Sequence, residues 1–267
     1  MKGYTQQSLQ QRLHHRLSGN LGRALGRLVL TSFLVLVSAA SQAKVGTGGT
    51  DILESIEEMA RQGHRALGYG EARRELMGKI HLKSQGKGYA IRDVYCDKDY
   101  TDQDFPDGQG PAPGKVPLAN ILNTEHTWPQ SKFGGKEKEV QKSDLHHLYP
   151  SDSELNSIRG NFPLGEVVSG EKPTKCPTSR FGKDQNGQFV FEPPQHHKGD
   201  AARALLYFSV RYGLAISAAQ EKVLREWHKA DPVNEGDLKR NSAVQKAQGN
   251  RNPFVDRPEL VDQVSDF

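Results

Sequence analysis

The chain has 267 residues, with 36 Lys and Arg, 32 Asp and Glu, and a hydrophobic fraction of 35%. This length can form one large domain or two small ones, and the 27 glycines and 14 prolines favour a loop-rich fold over a helical bundle. The sequence shows no internal repeat, which argues against a solenoid, and no apolar stretch after residue 43 is long enough to span a bilayer.

Residues 1–43 have the pattern of a secretory signal peptide. Five basic and no acidic residues occur here, the apolar run Leu28–Val37 follows the basic part, and small residues lead to Ala43. The run of about 10 residues is shorter than the ~20 that a bilayer requires, so an uncleaved membrane anchor is the weaker alternative. We therefore expect export to a periplasm or to the medium, with residues 44–267 as the mature domain. Loss of the five basic residues takes the formal net charge from +4 to about −1, so a polyanion would need a local basic patch.

Hydrophobic periodicity and capping residues predict a mixed α+β domain after the signal. Ser151 with Glu154 and Ser217 with Gln220 form capping boxes, each at the start of a helix. Helices are predicted to begin near residues 51, 70, 151, 199, 217 and 235, and strands are predicted at 89–95 and 188–192. Strands and helices do not alternate regularly, which favours an α+β single domain with long loops over a parallel α/β fold.

Residues 97–118 are rich in Asp, Gly and Pro and are predicted to form a loop. Asp97, Asp99 and Asp102 could bind calcium, but the glycine and the closing glutamate of an EF-hand loop are missing. A solvated acidic loop is therefore the favoured interpretation.

The two cysteines, Cys96 and Cys176, both lie in the part expected to be exported. An oxidising compartment favours a disulfide between them, and two separate buried thiols are the alternative. The sequence leaves both possibilities open.

Two polar runs, Asn123–Pro129 and Ser143–Asn161, contain the residues best suited to catalysis. A neutral histidine such as His126 can accept a proton from water near neutral pH. Mg²⁺ keeps several of its waters in proteins, so the carboxylate of Glu125 and the amide oxygen of Asn156 would be enough to hold it.

The spacing of these residues allows them to share one site. Adjacent side chains on a strand point to opposite faces, so Glu125 and His126 can act together only where the strand ends, which Pro129 favours. Asn156 and Arg159 are three residues apart on a predicted helix and lie on nearly the same face. A strand pair followed by that helix would gather a set suited to metal-assisted cleavage of a phosphodiester.

Each of these residues also has an ordinary structural interpretation. His126 could be a hydrogen-bonding histidine in a strand, Asn156 a solvated helix residue, and Arg159 a charge favoured at a helix end. The pair His146–His147 could bind zinc, but adjacent histidines in a strand diverge and no cysteine is near. Asp144 could be a surface acid or could orient a histidine. Only the joint pattern favours catalysis.

Ordered blocks between residues 85 and 258 resemble the bacterial endonuclease I family. The matching blocks are Asn123–Ser131, Ser143–Ser151, Asn156–Val167, Phe191–Pro194, Lys198–Ala204 and Gln248–Phe254. The resemblance implies a ββα-metal (His-Me finger) core. It also implies cleavage of DNA, and often RNA, without sequence specificity and with 5′-phosphate products. We expect a monomer that contacts nucleic acid through its phosphates.

The resemblance further implies roles for individual residues. Glu125 and Asn156 would hold one Mg²⁺, or Mn²⁺ or Ca²⁺ in its place, and His126 would be the general base. Arg159 matches the motif arginine of the family, and we assign it a phosphate contact. The remaining motif positions, Asp144 and His146, would have supporting roles.

The segment between the two runs departs from the family pattern. Family members often carry a longer, cysteine-containing insertion here, whereas this chain has only residues 130–143. The basic group that some members place there to hold the scissile phosphate has no certain counterpart. Four lysines could replace it: Lys132, Lys136, Lys138 and Lys142.

Two other classes of function remain as alternatives. One is a catalytically inactive nucleic-acid-binding protein on the same scaffold, which would not need all of Glu125, His126 and Asn156. The other is a metallopeptidase, which the absence of a His-Glu-x-x-His motif disfavours.

Overall fold

The computed structural model describes residues 48–172 and 174–267, which belong to one compact unit. The predicted signal peptide, residues 1–43, lies outside the described residues. The described part has a mixed α+β fold with three small antiparallel sheets, which confirms the predicted fold class. Within these two ranges, no helix is both long enough and apolar enough to cross a membrane.

Helices and short strands are interspersed along the chain. The helices are α1 (Gly48–Arg61), α2 (Tyr69–Glu75), α3 (Lys138–Ser143), α4 (Ser153–Arg159), α5 (Gln195–Tyr212), α6 (Ala218–Ala230), α7 (Glu235–Gln248) and α8 (Pro253–Asp256). The strands are β1 (Leu82–Gln85), β2 (Gly88–Arg92), β3 (Asp99–Thr101), β4 (Leu122–His126), β5 (Leu148–Asp152), β6 (Ser169–Lys172), β7 (Arg180–Lys183) and β8 (Phe189–Glu192). They pair in the orders β1-β2-β3, β4-β5 and β6-β7-β8.

Strand β2 is shorter than the strand predicted at 89–95, because the chain turns after Arg92. The backbone N–H of Asp93 donates to Lys98 O, and its carboxylate accepts the backbone N–H groups of Tyr95 and Cys96. This carboxylate-centred turn returns the chain to pair with β2 as β3.

The acidic segment after the turn is not a continuous loop, contrary to the prediction, because it contains β3 and a short 3₁₀ turn. Arg92 contacts the carboxylates of Asp97 and Asp99, at 2.9 and 3.3 Å respectively. These two acids therefore neutralise an arginine, and the described residues contain no cluster of three or more His, Cys, Asp or Glu suited to a metal.

The β4-β5 hairpin and α4 form a continuous ββα arrangement. Glu125 pairs across the hairpin with Tyr149, and α4 begins directly after β5. The predicted cap at Ser151 is wrong, because Ser151 lies within β5. The N-cap is Asp152, whose Oδ1 accepts the backbone N–H groups of residues 154 and 155 at 3.0 Å each. Gly160 ends α4 with a positive φ of 52°, as predicted.

Hairpin strand β4 is anchored at both ends by different hydrophobic clusters. Leu122 is fully buried in a cluster with residues of α2 and β2, whereas Trp128 packs in the larger cluster around α5, with its ring 5.1 Å from that of Phe208. Complete burial of a leucine side chain such as that of Leu122 stabilises the folded state by about 1.5–3 kcal/mol. The polar residues between the two anchors are therefore held on a rigid segment.

Helix α5 is longer than predicted, since it starts at Gln195 rather than at Gly199. Pro194 supplies the N-cap, and the polar first turn hid the true start in the sequence. Gly199 has a packing role instead, because a Cβ there would lie 2.2 Å from Asp231 O at the end of α6. Helix α6 begins after Ser217, whose side chain accepts the Gln220 N–H, as the capping pattern predicted.

A disulfide joins Cys96 to Cys176, with a Cα–Cα distance of 4.9 Å. It confirms the favoured interpretation of the two cysteines and ties the turn after β2 to the segment before β7 across 80 residues. A loop of that length removes much conformational freedom from the unfolded chain.

Candidate active site

A cleft of about 570 Å³ opens beside β4 and α4. The side chains of Glu125, His126, Asn156 and Arg159, predicted from the two polar runs, all line this cleft. The end of β4 brings the first two residues to one site, and α4 supplies the other two. The structure therefore gathers the four residues that the spacing predicted to be together.

Glu125 is 1% exposed and lies next to a buried arginine. Its Oε1 is 3.1 Å from Arg159 Nη1, but that nitrogen donates its hydrogen bonds to His126 O and Gly160 O. Among the described residues, Oε1 consequently receives no hydrogen bond. The Glu125 carboxylate is therefore charge-paired with Arg159, while this buried oxygen keeps an unfilled acceptor position.

Arg159 is 2% exposed and links α4 to the end of β4. It donates to His126 O at 3.0 Å and to Thr127 O at 2.6 Å, besides its ion pair with Glu125. These bonds engage Nη1 and Nη2, and the buried Nε has no acceptor among the described residues, so a phosphate contact that keeps these bonds would have to use that buried edge of the guanidinium. The geometry therefore fits Arg159 as the support of Glu125 better than as the phosphate contact assigned from the sequence.

His126 is 6% exposed, and one ring nitrogen is committed to the backbone. Nε2 lies 3.1 Å from Lys142 O, which can only accept, so Nε2 carries the proton and Nδ1 keeps its lone pair. Gln130 Nε2 lies 3.4 Å from Nδ1. Burial, with a further contribution from His147, lowers the pKa of His126 to about 3, so the ring is neutral at physiological pH.

The amide of Asn156 is oriented by a single hydrogen bond. Its Nδ2 donates to Thr124 O at 3.2 Å, and this identifies the other end of the amide as the oxygen. Asn156 is half-buried in the cleft wall, and its Oδ1 has no hydrogen-bond donor within residues 52–172 and 174–267. An amide oxygen and a carboxylate oxygen therefore line the same cleft.

Asp144 and His146 lie outside the cleft wall and support it from behind. The Asp144 carboxylate accepts hydrogen bonds from Tyr207, Tyr212, Gln248 and the backbone N–H of His146 at 2.8–3.0 Å. Burial alone would raise the pKa of Asp144. The interactions with His64, His146 and His147 lower the pKa by more than burial raises it, so the carboxyl group is ionised. It caps a 3₁₀ turn, Leu145–His147, which directs the chain into β5.

The adjacent histidines were predicted in a strand, but they lie in this 3₁₀ turn. Nε2 of His146 contacts Asn250 O at 3.2 Å, and Nε2 of His147 contacts Gln141 O at 2.7 Å. The His147 ring is 5.4 Å from that of His126 and positions it. One nitrogen of each ring is thus bonded to a backbone carbonyl oxygen.

Two cleft residues, Tyr69 and Arg73 of α2, were missed by the sequence analysis. The Tyr69 ring is 5.5 Å from that of His126, and the Arg73 guanidinium is 5.8 Å from the centre of the Tyr69 ring. Their spacing of four residues places them on one helical face, but no local signal connects that face to a motif about 50 residues later. None of the four lysines considered for phosphate binding lines the cleft.

Comparisons with known proteins identify relatives among secreted nucleases. An extracellular ribonuclease of Bacillus subtilis (strain 168) is 35% identical over 160 residues, which cover 53% of this chain and 53% of that protein. An extracellular deoxyribonuclease of Aeromonas hydrophila is 31% identical over 165 residues, covering 55% of this chain and 71% of the relative. The chain spans about half the length of the Bacillus relatives it matches.

The sequence model of the family described as Endonuclease I matches residues 56–259. This range includes all the residues of the cleft named above and most of the described part of the chain. An Endonuclease-1 of Buchnera aphidicola subsp. Acyrthosiphon pisum (strain APS) is also similar, with 28% identity over 157 residues, 51% of this chain and 60% of that protein. The chain belongs to the endonuclease I family.

Proposed function

We propose that this protein is an exported, metal-dependent endonuclease that hydrolyses phosphodiester bonds of DNA, and also of RNA, without sequence preference and with 5′-phosphate products. The observation that carries the proposal is the grouping in one cleft of a neutral histidine with a lone pair on Nδ1 and two oxygen acceptors without donors in the described part of the chain. The names of the relatives, extracellular ribonuclease and extracellular deoxyribonuclease, support export and both types of nucleic acid.

His126 would act as the general base. Its Nδ1 accepts a proton from a water molecule, which then attacks phosphorus, while Lys142 O holds the ring through Nε2–H. A pKa of about 3 makes the histidine a weak base in the free cleft. An anionic phosphate beside the ring raises its basicity, because a nearby negative charge stabilises the imidazolium.

Glu125 and Asn156 fit a single hard cation. A carboxylate oxygen and an amide oxygen are ligands that Mg²⁺, Mn²⁺ and Ca²⁺ accept, and Mg²⁺ in particular keeps waters in its remaining positions. A bound divalent ion would neutralise charge on the phosphate and stabilise the departing 3′ oxygen. Arg159 would hold the Glu125 carboxylate in place through their ion pair.

A nicking assay on the mature protein tests the proposal. Supercoiled plasmid and an unstructured RNA are incubated with Mg²⁺ or with EDTA, and we expect cleavage of both substrates in Mg²⁺ only. His126→Ala should reduce the rate by about 10²–10⁴-fold while leaving binding of DNA intact. His196→Ala is the matched control, because His196 is 56% exposed and lies outside the cleft.

The outcomes of this assay separate the alternatives. Cleavage that survives EDTA would reject the metal, and equal rates for His126→Ala and wild type would reject the base. Binding of DNA without any cleavage would instead identify the inactive nucleic-acid-binding protein considered above.

A further inference from the structure

Two cations near the ring of Tyr69, a residue of the cleft wall, have no partner in the described part of the chain. The Arg73 guanidinium and the Lys142 Nζ lie 5.8 and 5.1 Å from the centre of the Tyr69 ring, and neither forms an ion pair or a side-chain hydrogen bond with another described residue. Arg73 belongs to the cleft wall itself. Both cations therefore flank the ring that packs against His126.

The other charges on α2 and just after it are already matched. Arg74 donates to Glu71 at 2.6 and 2.9 Å, and Lys79 pairs with Glu75. Arg73 is consequently the one basic residue of Tyr69–Ile80 that has no acidic partner among the described residues. Most exposed arginines are simply solvated, and that would be the ordinary explanation for this one as well.

Two observations argue against simple solvation of Arg73. Its Nε is shielded from solvent and has no hydrogen-bond acceptor in the described part of the chain. Arg159, Arg203 and Arg211 share an unpartnered Nε, but their other nitrogens form hydrogen bonds, whereas Arg73 forms none with a described residue, which is costly unless a ligand supplies the acceptor. Glu125, the only carboxylate among the described residues of the cleft wall, is already compensated by Arg159. No anion among the described residues is therefore available to pair with the Arg73 guanidinium.

From this geometry we infer that Arg73 binds the scissile phosphate of the substrate, with the Tyr69 ring as its platform. A guanidinium presents N–H groups as a planar fork that matches two phosphate oxygens, whereas an ammonium is a point charge. The inference rests on the proposed function and identifies the phosphate-binding group for which residues 130–143 offered no clear candidate. Lys142 adds positive charge beside Arg73 and attracts the phosphates next to the scissile one in the nucleic acid.

The test compares Arg73→Gln and Arg73→Lys with Arg74→Gln, the adjacent arginine that is paired with Glu71. Cleavage of a duplex oligonucleotide in Mg²⁺ gives kcat and KM, and binding of the same duplex in EDTA is measured over a series of salt concentrations. Thermal unfolding of every variant shows whether the fold is retained.

Arg73→Gln should lower kcat/KM by about 10²-fold, as loss of one donor to developing charge does in other enzymes. The slope of log Kd against log salt should fall by about 1, because one phosphate contact is lost. Arg73→Lys should keep that slope but should cleave more slowly than wild type, because the fork is lost. Arg74→Gln should match wild type in both measurements.

An unchanged salt slope and a wild-type rate for Arg73→Gln would overturn the inference. A loss of activity that comes only with a lowered melting temperature would also overturn it, and Arg73→Lys decides the case if Arg73→Gln does not fold. A wild-type protein that binds DNA but does not cleave it would refute the proposed function. The binding measurement needs no turnover, so it would still show whether Arg73 contacts phosphate.

Discussion

The buried ion pair between Glu125 and Arg159 allows a sharp test of what the arginine does. Arg159→Met keeps most of the length of the side chain but leaves Glu125 buried without its cation and removes a donor from three backbone carbonyls. Removal of one partner of a buried pair typically costs about 3–5 kcal/mol of unfolding free energy. For a domain of this size each kcal/mol lowers the melting temperature by about 2–4 °C, so we expect a loss on the order of 10 °C.

Circular dichroism melts of the mature protein at fixed pH measure this effect. Arg61→Met is the control, because Arg61 forms a surface pair with Glu57 and both side chains are about 40% exposed; its loss should cost less than about 1 kcal/mol. The double variant Glu125→Leu with Arg159→Met should regain part of the lost stability, since neither charge is then left unpaired.

The result that would refute this reasoning is equally specific. Arg159→Met could have the melting temperature of the wild type but bind duplex DNA more weakly, with a slope of log Kd against log salt that is smaller by about 1. The arginine would then contact phosphate, as predicted from the sequence. Full stability together with unchanged binding would mean that neither role is correct.

Three further predictions concern the metal, the disulfide and acid stability. Glu125→Ala and Asn156→Ala should each raise the half-saturating Mg²⁺ concentration in the nicking assay by at least about 10-fold, and an unchanged titration would remove that residue from the metal site. Reduction of the disulfide, which closes a loop of about 80 residues, should lower the unfolding free energy by about 4 kcal/mol, so a melt in reductant that overlays the oxidised one would contradict its stabilising role. Burial lowers the pKa of His146 and of His147 to about 4, below the ~6.5 of the unfolded chain, so protons bind first to the unfolded state as pH falls. The free energy of unfolding should then drop between about pH 6.5 and about pH 4, by on the order of 3 kcal/mol for each histidine. Urea unfolding curves over this pH range measure the drop. A stability that does not change with pH would contradict burial of the two histidines in the neutral form.

Local signals in the sequence predicted the helices but not always where they begin. The cap at Ser217 was found because its partner lies three residues away, whereas the cap at Ser151 was displaced by one residue because the neighbouring Asp152 caps α4 better. Helix α5 was started too late because its polar first turn carries no hydrophobic signal, and Gly199 looked like a boundary although it serves close packing with α6. Only the packing of Gly199 against the end of α6 depends on a distant segment; the other two errors concern neighbouring residues.

The cleft shows the same division between short-range and long-range information. The motif spacing was enough to group Glu125, His126 and Asn156, because the hairpin and α4 follow one another directly in the chain. The burial of Arg159 could not be predicted, since it depends on how α4 packs against the end of β4. Arg73 was missed for a related reason, because α2 reaches the cleft through tertiary packing alone.

The distribution of charge in the cleft explains how residues 44–267, which are nearly neutral overall, could bind a polyanion. Glu125 and Arg159 compensate each other inside the wall, and His126 is neutral. Unpaired positive charge close to the catalytic groups comes from Arg73 in the cleft wall and from Lys142 near the Tyr69 ring. Two such contacts predict a shallow dependence of binding on salt, with a slope of about 2 rather than the slope of about 10 of a strongly basic DNA-binding protein. A slope well above 2 for the wild type would require phosphate contacts far from the cleft, and a slope near zero would mean that Arg73 and Lys142 do not bind the nucleic acid backbone.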